Sequence, residues 1–441
     1  MSQTLRPNLA RCPAMMISAP SSGQGKTTVT AALARLHRLR GSKVRVFKCG
    51  PDFLDPTILA AASGSAVYQL DLWLVGEKGC RYLLRKAAQE ADLILVEGVM
   101  GLFDGSPSAA DLAEKFSLNV LLVIDARSMA QSFGAVALGL KIYRPSLKVG
   151  AVLANRVAGD NHARLVKDSL PPGLDWYGAL RRGEDIELPS RHLGLVAASE
   201  LKDIESRINL AALELDSQRV AATPPEVFFE TDDDDIEPAT LKALTGLKVA
   251  VAYDQAFSFI YQANLDLLKA MGAQIIFFSP LAGHRLPSCQ ALYLPGGYPE
   301  LHLEELSANR ALMEDIKNHH CLNLPILAEC GGLLYLLETL SYGPRIEKMV
   351  GLLPGRAVLT SALKGLGLMS AQLPEGLLRG HSFHHSSAVI DLEPLGWAVR
   401  QDGASDRREA IYRLKRLTAS YVHFYWPSNP MAVAALFSGL A

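Results

Sequence analysis

Two open, mostly parallel α/β domains in tandem are what this 441-residue sequence predicts. Three observations carry that fold class. Short, near-continuous apolar runs alternate with helical stretches, the pattern of strands buried on both faces of a parallel sheet. The alternation occurs twice, and a proline- and acid-rich stretch near the middle separates the two series. The first series opens on a glycine-rich turn between an apolar run and a helical one, the setting of a phosphate-binding loop. The expected boundaries are residues 1–220 for the first domain, 221–245 for a linker and 246–441 for the second domain.

Apolar residues make up 49% of the chain and charged ones 20%, a globular composition with enough length for large cores. The net charge of -1 gives no reason to expect nucleic acid or an anionic membrane as partner. No apolar run has the length of a bilayer crossing, and Met1–Pro13 lacks the long apolar segment of a signal peptide. Cys12, Cys49, Cys80, Cys289, Cys321 and Cys330 are scattered without a Cys-x-x-Cys pair. That argues against a zinc site or disulfide framework and for a reducing cytoplasm.

The first domain is organised around the stretch from Ser18 to Thr30. Ala14–Ile17 before it reads as a buried strand, and the run after it places Val29, Leu33, Leu36 and Arg40 on one helical stripe. Backbone N–H groups of such a turn converge on an anion at the positive end of the helix. Gly23 and Gly25 let the backbone of the Gly23-Gln24-Gly25-Lys26-Thr27-Thr28 segment approach phosphates. Lys26 can reach the terminal phosphates of a nucleotide, and the Thr27 hydroxyl is placed for Mg²⁺. Pro20 stands where the first glycine of G-x-x-x-x-G-K-[ST] would be.

Val44–Phe47, Leu93–Val96, Val120–Ile124 and Val149–Leu153 are the following strands. Ligands of such sheets bind at the carboxyl ends of the strands, and the conspicuous acids fall there. Asp52 and Asp55 follow the second strand, and Glu97 and Asp104 follow the third. Singly, acids after strands are ordinary turn formers. As a set beside a phosphate loop, Asp52 and Glu97 are the best candidates for Mg²⁺ ligands, while Asp55 and Asp104 could orient an acceptor or a second metal. Asn155-Arg156 could touch the nucleotide base or belong to the loop's own scaffolding. His192–Val196 reads as a short late strand, and a helical stretch to Leu215 ends the domain.

Ala221–Pro238, with Asp232–Asp235 inside it, has no period and reads as an exposed linker whose aspartates are solvated. The second series runs through Leu247–Ala252, a helix Asn264–Met271, Gln274–Phe278, Ala291–Leu294 and Pro325–Glu329. Cys330 then sits where a strand breaks through Gly331-Gly332 into an apolar helix, Leu333–Leu340. Such an elbow projects the sulfur clear of the sheet at a helix N-terminus, which favours the thiolate. His423, on a late strand Tyr421–Tyr425, can serve as base. N–H groups of the Gly296-Gly297 turn and of Gly331 could face an oxyanion. The alternative for Cys330 is a buried structural cysteine. His381, His384 and His385 have a spacing that could bind metal, but no acid or cysteine lies near them in sequence, so a substrate-contacting or structural loop is expected there. His37, His162, His192, His284, His302, His319 and His320 are expected as surface or capping residues.

Together these stretches resemble the cobyrinic acid a,c-diamide synthases of corrin biosynthesis across nearly the whole chain. The matching pieces are Ser22–Thr28, Phe47–Pro56, Val96–Gly105, Asp254–Phe259, Leu294–Glu300, Ala328–Tyr335 and Ser420–His423. The first domain looks like dethiobiotin synthetase and related ATPases, the second like a class I glutamine amidotransferase. The resemblance implies that Cys330 attacks the side-chain amide of glutamine, with His423 as base, and releases ammonia. It implies that ATP with Mg²⁺ phosphorylates a peripheral carboxylate of cobyrinate or hydrogenobyrinate, and that ammonia displaces the phosphate. The family's substrate and metal residues carry over onto Asp52, Leu54, Asp55, Glu97 and Asp104. A homodimer is a further expectation.

Two departures stand out. Related amidotransferases carry His-x-Glu, and here position 425 is Tyr, so a dyad or an acid from elsewhere must serve. In the loop usually written Gly-His-Glu-Phe-His-Tyr, this chain has Ser382 and His385. Cobyric acid synthase and nickel-tetrapyrrole diamide synthases are alternatives of the same class. A partitioning-type ATPase switch would leave the Cys330 elbow idle, and dethiobiotin synthetase itself needs no second domain.

Overall fold

The computed structural model describes residues 9–188, 203–218, 222–230, 242–403 and 407–438. The chain divides into two compact units, Met1–Ile236 and Glu237–Ala441. The expected strand at His192–Val196 and the aspartates Asp232–Asp235 lie outside the described residues.

The first unit is built on strands β1 (Leu9–Ser18), β2 (Val44–Cys49), β3 (Tyr68–Leu70), β4 (Leu93–Glu97), β5 (Asn119–Asp125), β6 (Val149–Val157), β7 (Asp175–Arg181) and β8 (Glu226–Glu230). Seven of them form a sheet in the order β3-β2-β4-β1-β5-β6-β7, with every neighbouring pair parallel. Helices α1 (Lys26–Leu39), α2 (Asp55–Ser63), α3 (Glu77–Glu90), α4 (Ala109–Lys115), α5 (Ser132–Tyr143), α6 (Asp160–Asp168) and α7 (Ile204–Ser217) complete the unit. Alternate residues of β5 show how the sheet is covered. Leu121 and Val123 join the core with α1, α2 and α7, while Val120, Leu122 and Ile124 join the core with α3, α4 and α5. Burial on both faces is why these strands read as unbroken apolar runs.

The segment expected to be an exposed linker is partly structured, which corrects the sequence reading. β8 pairs antiparallel with the N-terminal half of β1, Val227 opposite Cys12 and Phe229 opposite Ala10. Glu226-Val-Phe-Phe-Glu230 alternates, with Val227 and Phe229 buried and Phe228 61% exposed. Period-2 burial of a five-residue edge strand is easily masked by flanking prolines and acids.

The second unit contains β9 (Lys248–Ala252), α8 (Gln262–Ala270), β10 (Gln274–Phe278), β11 (Ala291–Leu294), α9 (Leu303–Ala308), α10 (Arg310–Cys321), β12 (Ile326–Glu329) and α11 (Gly331–Leu336). Strands β13 (Leu337–Tyr342), β14 (Arg345–Lys348), β15 (Leu353–Leu359), β16 (Gly365–Leu373), β17 (Gly376–His384) and β18 (Ser386–Ile390) follow. The unit closes with β19 (Gly396–Arg400), β20 (Glu409–Leu414), β21 (Leu417–Ser420), β22 (His423–Tyr425) and α12 (Pro430–Ser438). Its larger sheet runs β10-β9-β11-β12-β21-β20-β19-β16-β17-β22. The path is parallel as far as β21 and antiparallel beyond it. The α/β class holds, and the antiparallel half adds to what the apolar runs suggest.

That half must curl. β21 and β22 are five places apart in the sheet, roughly 24 Å if it were flat. Only Tyr421 and Val422 join them, a span of about 11 Å at full extension. The sheet therefore bends back and brings β22 towards β21. Two further sequence expectations are corrected here. Helix α11 ends at Leu336, and Leu337 begins a strand, so Leu333–Leu340 is not one helix. Gly380–His384 is strand rather than loop, the end of β17, and only His385 separates it from β18 at Ser386.

Candidate active site

In the first unit the phosphate loop is fastened from behind by the ends of β5 and β6. Asn155 Nδ2 donates to Gln24 O at 2.8 Å, and Gln24 Oε1 accepts the Asp125 N–H at 2.8 Å. Arg156 donates to Gly23 O at 2.9 Å and pairs with Asp125 at the same distance. Asn155-Arg156 thus scaffolds the loop. Gly25 caps α1 at φ +89°, and a Cβ there would lie 2.0 Å from Asn155 Nδ2, so both conformation and space demand glycine. Thr28 is half-buried in the first turn of α1. Lys26 Nζ donates to Ser21 O at 3.1 Å and to Met100 O. Burial, with the nearby Lys48 charge, lowers the Lys26 ammonium to about 8.

Three expected carboxylates converge on a lysine that the sequence reading did not single out. Lys48, at the end of β2, is 3% exposed and lies 2.6 Å from Asp55 Oδ2, 2.6 Å from Glu97 Oε1 and 3.7 Å from Asp52 Oδ2. Glu97 Oε1 also accepts from Thr27 Oγ1 at 2.8 Å, which ties α1 to β4. Asp52 Oδ1 accepts the N–H groups of Leu54 and Asp55, fixing the turn into α2. Burial raises the Asp52 carboxyl to about 7, aided by the Asp55 charge. Burial also raises Glu97. At Asp55 the same burial is outweighed by Lys48, which holds that carboxyl below its ordinary value. Burial opposes the Lys48 charge, but Asp55, Glu97 and Asp52 together hold its pKa well above the ordinary value.

Leu54 is buried at 3% exposure, so any contact it offers a ligand runs through its backbone and the shape of the turn. Asp104 stands apart from the Lys48 cluster on an exposed turn, with Oδ2 accepting the Gly101 N–H at 2.9 Å. That turn leans on the phosphate loop, because Leu102 N–H donates to Ala19 O. Among the described residues no group of three or more His, Cys, Asp or Glu side chains forms a ready-made metal site. Glu97 Oε2 is nevertheless fully buried without a hydrogen-bond partner among the described residues. An orphaned carboxylate oxygen beside the Thr27 hydroxyl fits a divalent cation whose remaining ligands come from nucleotide and water.

In the second unit Cys330 occupies a strained elbow between β12 and α11, at φ +44° and ψ -103°. A non-glycine residue there costs of order 1–3 kcal/mol and persists only where the surroundings enforce it. Its N–H donates to Ser420 O at 2.8 Å, so it hangs on the end of β21. The Gly296-Gly297 turn links the elbow to His423. A Cβ on Gly296 would lie 2.2 Å from His423 Cε1, and one on Gly331 would lie 3.0 Å from Gly297 N. Cys330, Gly331, Gly297 and His423 are therefore brought together around one turn.

Burial works against the thiolate that the elbow favours. Burial pushes the Cys330 thiol far above its ordinary value, and the Glu300 and Glu409 charges add to that, against a smaller lowering by the Gly331 N–H. Helix α11 is only six residues long, too short for its N-terminus to dominate. Burial likewise drives the His423 imidazole well below its ordinary value. Burial thus opposes charge on both the sulfur and the imidazole.

Further titratable groups line this region. Glu329, just before Cys330, accepts from Tyr293 OH at 2.8 Å and Trp426 Nε1 at 3.3 Å, and burial raises it to about 8. Burial raises Glu300 to about 7. Ser382 Oγ and His384 Nε2 both contact Glu409 Oε1, at 2.7 and 3.0 Å, so a carboxylate from β20 meets the departed motif position. His37, His319 and His320, expected as surface or capping residues, lie in the last turns of α1 and α10 and are buried.

Two family models divide the chain in the same way as the geometry. Residues 15–196 match the CobQ/CobB/MinD/ParA nucleotide binding domain, and residues 248–431 match the CobB/CobQ-like glutamine amidotransferase domain. The chain is thus an ATP-dependent carbon–nitrogen ligase of the glutamine amidotransferase class. The hydrogenobyrinate a,c-diamide synthase of Pseudomonas aeruginosa is 57% identical over 97% of this chain and 98% of its own length. The protein of that name from Stutzerimonas stutzeri is 57% identical over 96% and 98%. The cobyrinate a,c-diamide synthase of Herminiimonas arsenicoxydans is 44% identical over 96% of each chain. The chain belongs to the a,c-diamide synthase family.

Proposed function

We propose that this chain amidates the a and c side-chain carboxylates of hydrogenobyrinate, using ATP to activate each carboxylate and glutamine as nitrogen donor. The observation that carries the choice of a metal-free ring is the 57% identity, over nearly full length, to two proteins named for that substrate. In this reading the backbone of Gly23, Gln24 and Gly25 and the side chains of Lys26, Thr27 and Thr28 hold the triphosphate. Thr27, Asp52 and Glu97 would hold Mg²⁺, which would neutralise charge between the β- and γ-phosphates. The Asp55 and Asp104 side chains and the Leu54 turn position the corrin carboxylate.

The carboxylate oxygen attacks the γ-phosphorus, and ADP leaves. Ammonia then attacks the acyl carbon, inorganic phosphate leaves, and the nitrogen loses a proton. Carboxylates are poor electrophiles near neutral pH, which is why a phosphoryl donor and an ammonia source share one chain. In the second unit His423 takes the Cys330 thiol proton as sulfur attacks the amide carbon, and returns it to the departing ammonia. Gly297 and Gly331 N–H groups stabilise the oxyanion, and water releases glutamate from the thioester. Six free cysteines support placing these reactions in the reducing cytoplasm.

Mass spectrometry of hydrogenobyrinate and cobyrinate, each incubated with the chain, ATP, Mg²⁺ and glutamine, tests the reading. Each amidation replaces OH with NH₂. Two replacements on hydrogenobyrinate alone are expected. Two on cobyrinate alone would reassign the ring, and none on either with ATP still hydrolysed would overturn the proposal.

A further inference from the structure

A histidine general base needs its ring held in one plane, and the acid that commonly does this two residues later is Tyr425 in this chain. His381 of β17 lies directly opposite His423 of β22 in the antiparallel register. The two imidazoles stack, with centroids 5.2 Å apart and planes 23° from parallel. His381 is itself held, because its Nδ1 lies 2.9 Å from the hydroxyl of Tyr261. Tyr261 in turn packs edge-on against Tyr425 at 5.6 Å, so the residue standing in the acid's position belongs to the same assembly. All four side chains are buried, at 1–5% exposure. The strand beneath is pinned as well: Asn264 of α8 donates to Phe424 O at 2.8 Å and accepts the Trp426 N–H at 2.9 Å.

We propose that His381, held by Tyr261, is a positioning residue for glutamine hydrolysis, fixing the plane of the His423 ring by stacking where related enzymes use a carboxylate. The inference rests on His423 acting as the base of this site. A stacked neighbour constrains the plane of an imidazole and leaves its edges, through which the proton moves, to the substrate side. An aromatic plate at position 381 is the element required, and its hydroxyl clamp sets how firmly it stands. The effect lies on the orientation of the base and not on glutamine binding, so it belongs to kcat.

The test measures kcat and KM for glutamine hydrolysis by the full chain and by His381→Ala, His381→Phe and Tyr261→Phe. Amidation of hydrogenobyrinate with ammonium salt in place of glutamine is measured on the same preparations. His381→Ala is expected to lose about tenfold or more in kcat with KM within about twofold, the scale of a lost aromatic pair acting on the transition state. His381→Phe should stay within about threefold of the parent, Tyr261→Phe should fall between them, and all should retain the ammonium-supported rate. A parental kcat in His381→Ala would overturn the inference. So would a loss confined to KM, or His381→Phe as impaired as the alanine variant. A parent chain with no glutaminase activity would overturn the reading of the site itself, a result distinguishable from these.

Discussion

Lys48 Nζ lies 2.6 Å from Glu97 Oε1, joining β2 to β4 through an ion pair whose two side chains are almost wholly withdrawn from water. Removing one partner of a buried pair strands the other charge, and here three carboxylates depend on one ammonium. Lys48→Met should destabilise the first unit by about 3–5 kcal/mol and abolish ATP-dependent amidation. Urea unfolding and product assay check both. Lys48→Arg restores the charge but not the compact geometry and should rescue stability only in part.

Gly25→Ala sets a methyl against Asn155 Nδ2 at a backbone conformation that alanine resists. ATP affinity, followed by calorimetric titration, should fall at least about tenfold. Glutamine hydrolysis by the second unit provides the control for folding.

Cys330→Ser and His423→Ala should each lower glutamine-dependent amidation by about a thousandfold or more, while ammonium-supported amidation persists. Comparing the two nitrogen donors on the same preparation makes this measurement. Retention of glutamine-dependent turnover in either variant would remove that residue from its proposed role.

Glu329 titrates at about 8 in the folded chain against an ordinary 4.5. The native state holds the proton more tightly, so the stabilisation is complete below about pH 4.5 and is lost as pH rises through about 8. The gap sets a ceiling of about 5 kcal/mol. Glu329→Gln keeps an acceptor for Tyr293 and Trp426 without the titration. Its unfolding midpoint should decline less than the parent's between about pH 5 and about pH 9.

Phe229→Ala removes a side chain that β8, paired beside β1, buries in the core shared with α3, at a cost of about 3–5 kcal/mol to the first unit. Phe228→Ala, on the exposed face of the same strand, should cost less than about 1 kcal/mol. Chemical denaturation of the two variants separates a packed strand from an unstructured linker.

Residues 14 to 30 can be read without a structure because the chemistry is contiguous: strand, glycine turn, lysine, threonine and helix follow one another. Lys48 is different. It ends a run that reads as an ordinary strand, and its meaning depends on Glu97, 49 positions away. His381 and His423 face each other only because β17 and β22 pair, a register that local periodicity does not encode. The elbow at Cys330 is visible in its glycines, whereas its burial and the charges of Glu300 and Glu409, which push the thiol up, come from parts of the fold distant in sequence. At β8 the signal is present in Val227 and Phe229, but five residues between acids and prolines carry too little of it.

The two-residue passage from β21 to β22 acts as a ruler. Ser420 carries the backbone oxygen on which Cys330 hangs, and three positions later comes His423. Sulfur and imidazole are thus spaced by the length of the chain itself. Local breathing of the surrounding helices can alter access to them without changing that interval. A single residue inserted at Val422 would rotate every side chain of β22 to the opposite face, turning the imidazole away while leaving the sheet's hydrogen-bond count nearly intact. Such an insertion would separate foldedness from hydrolytic competence.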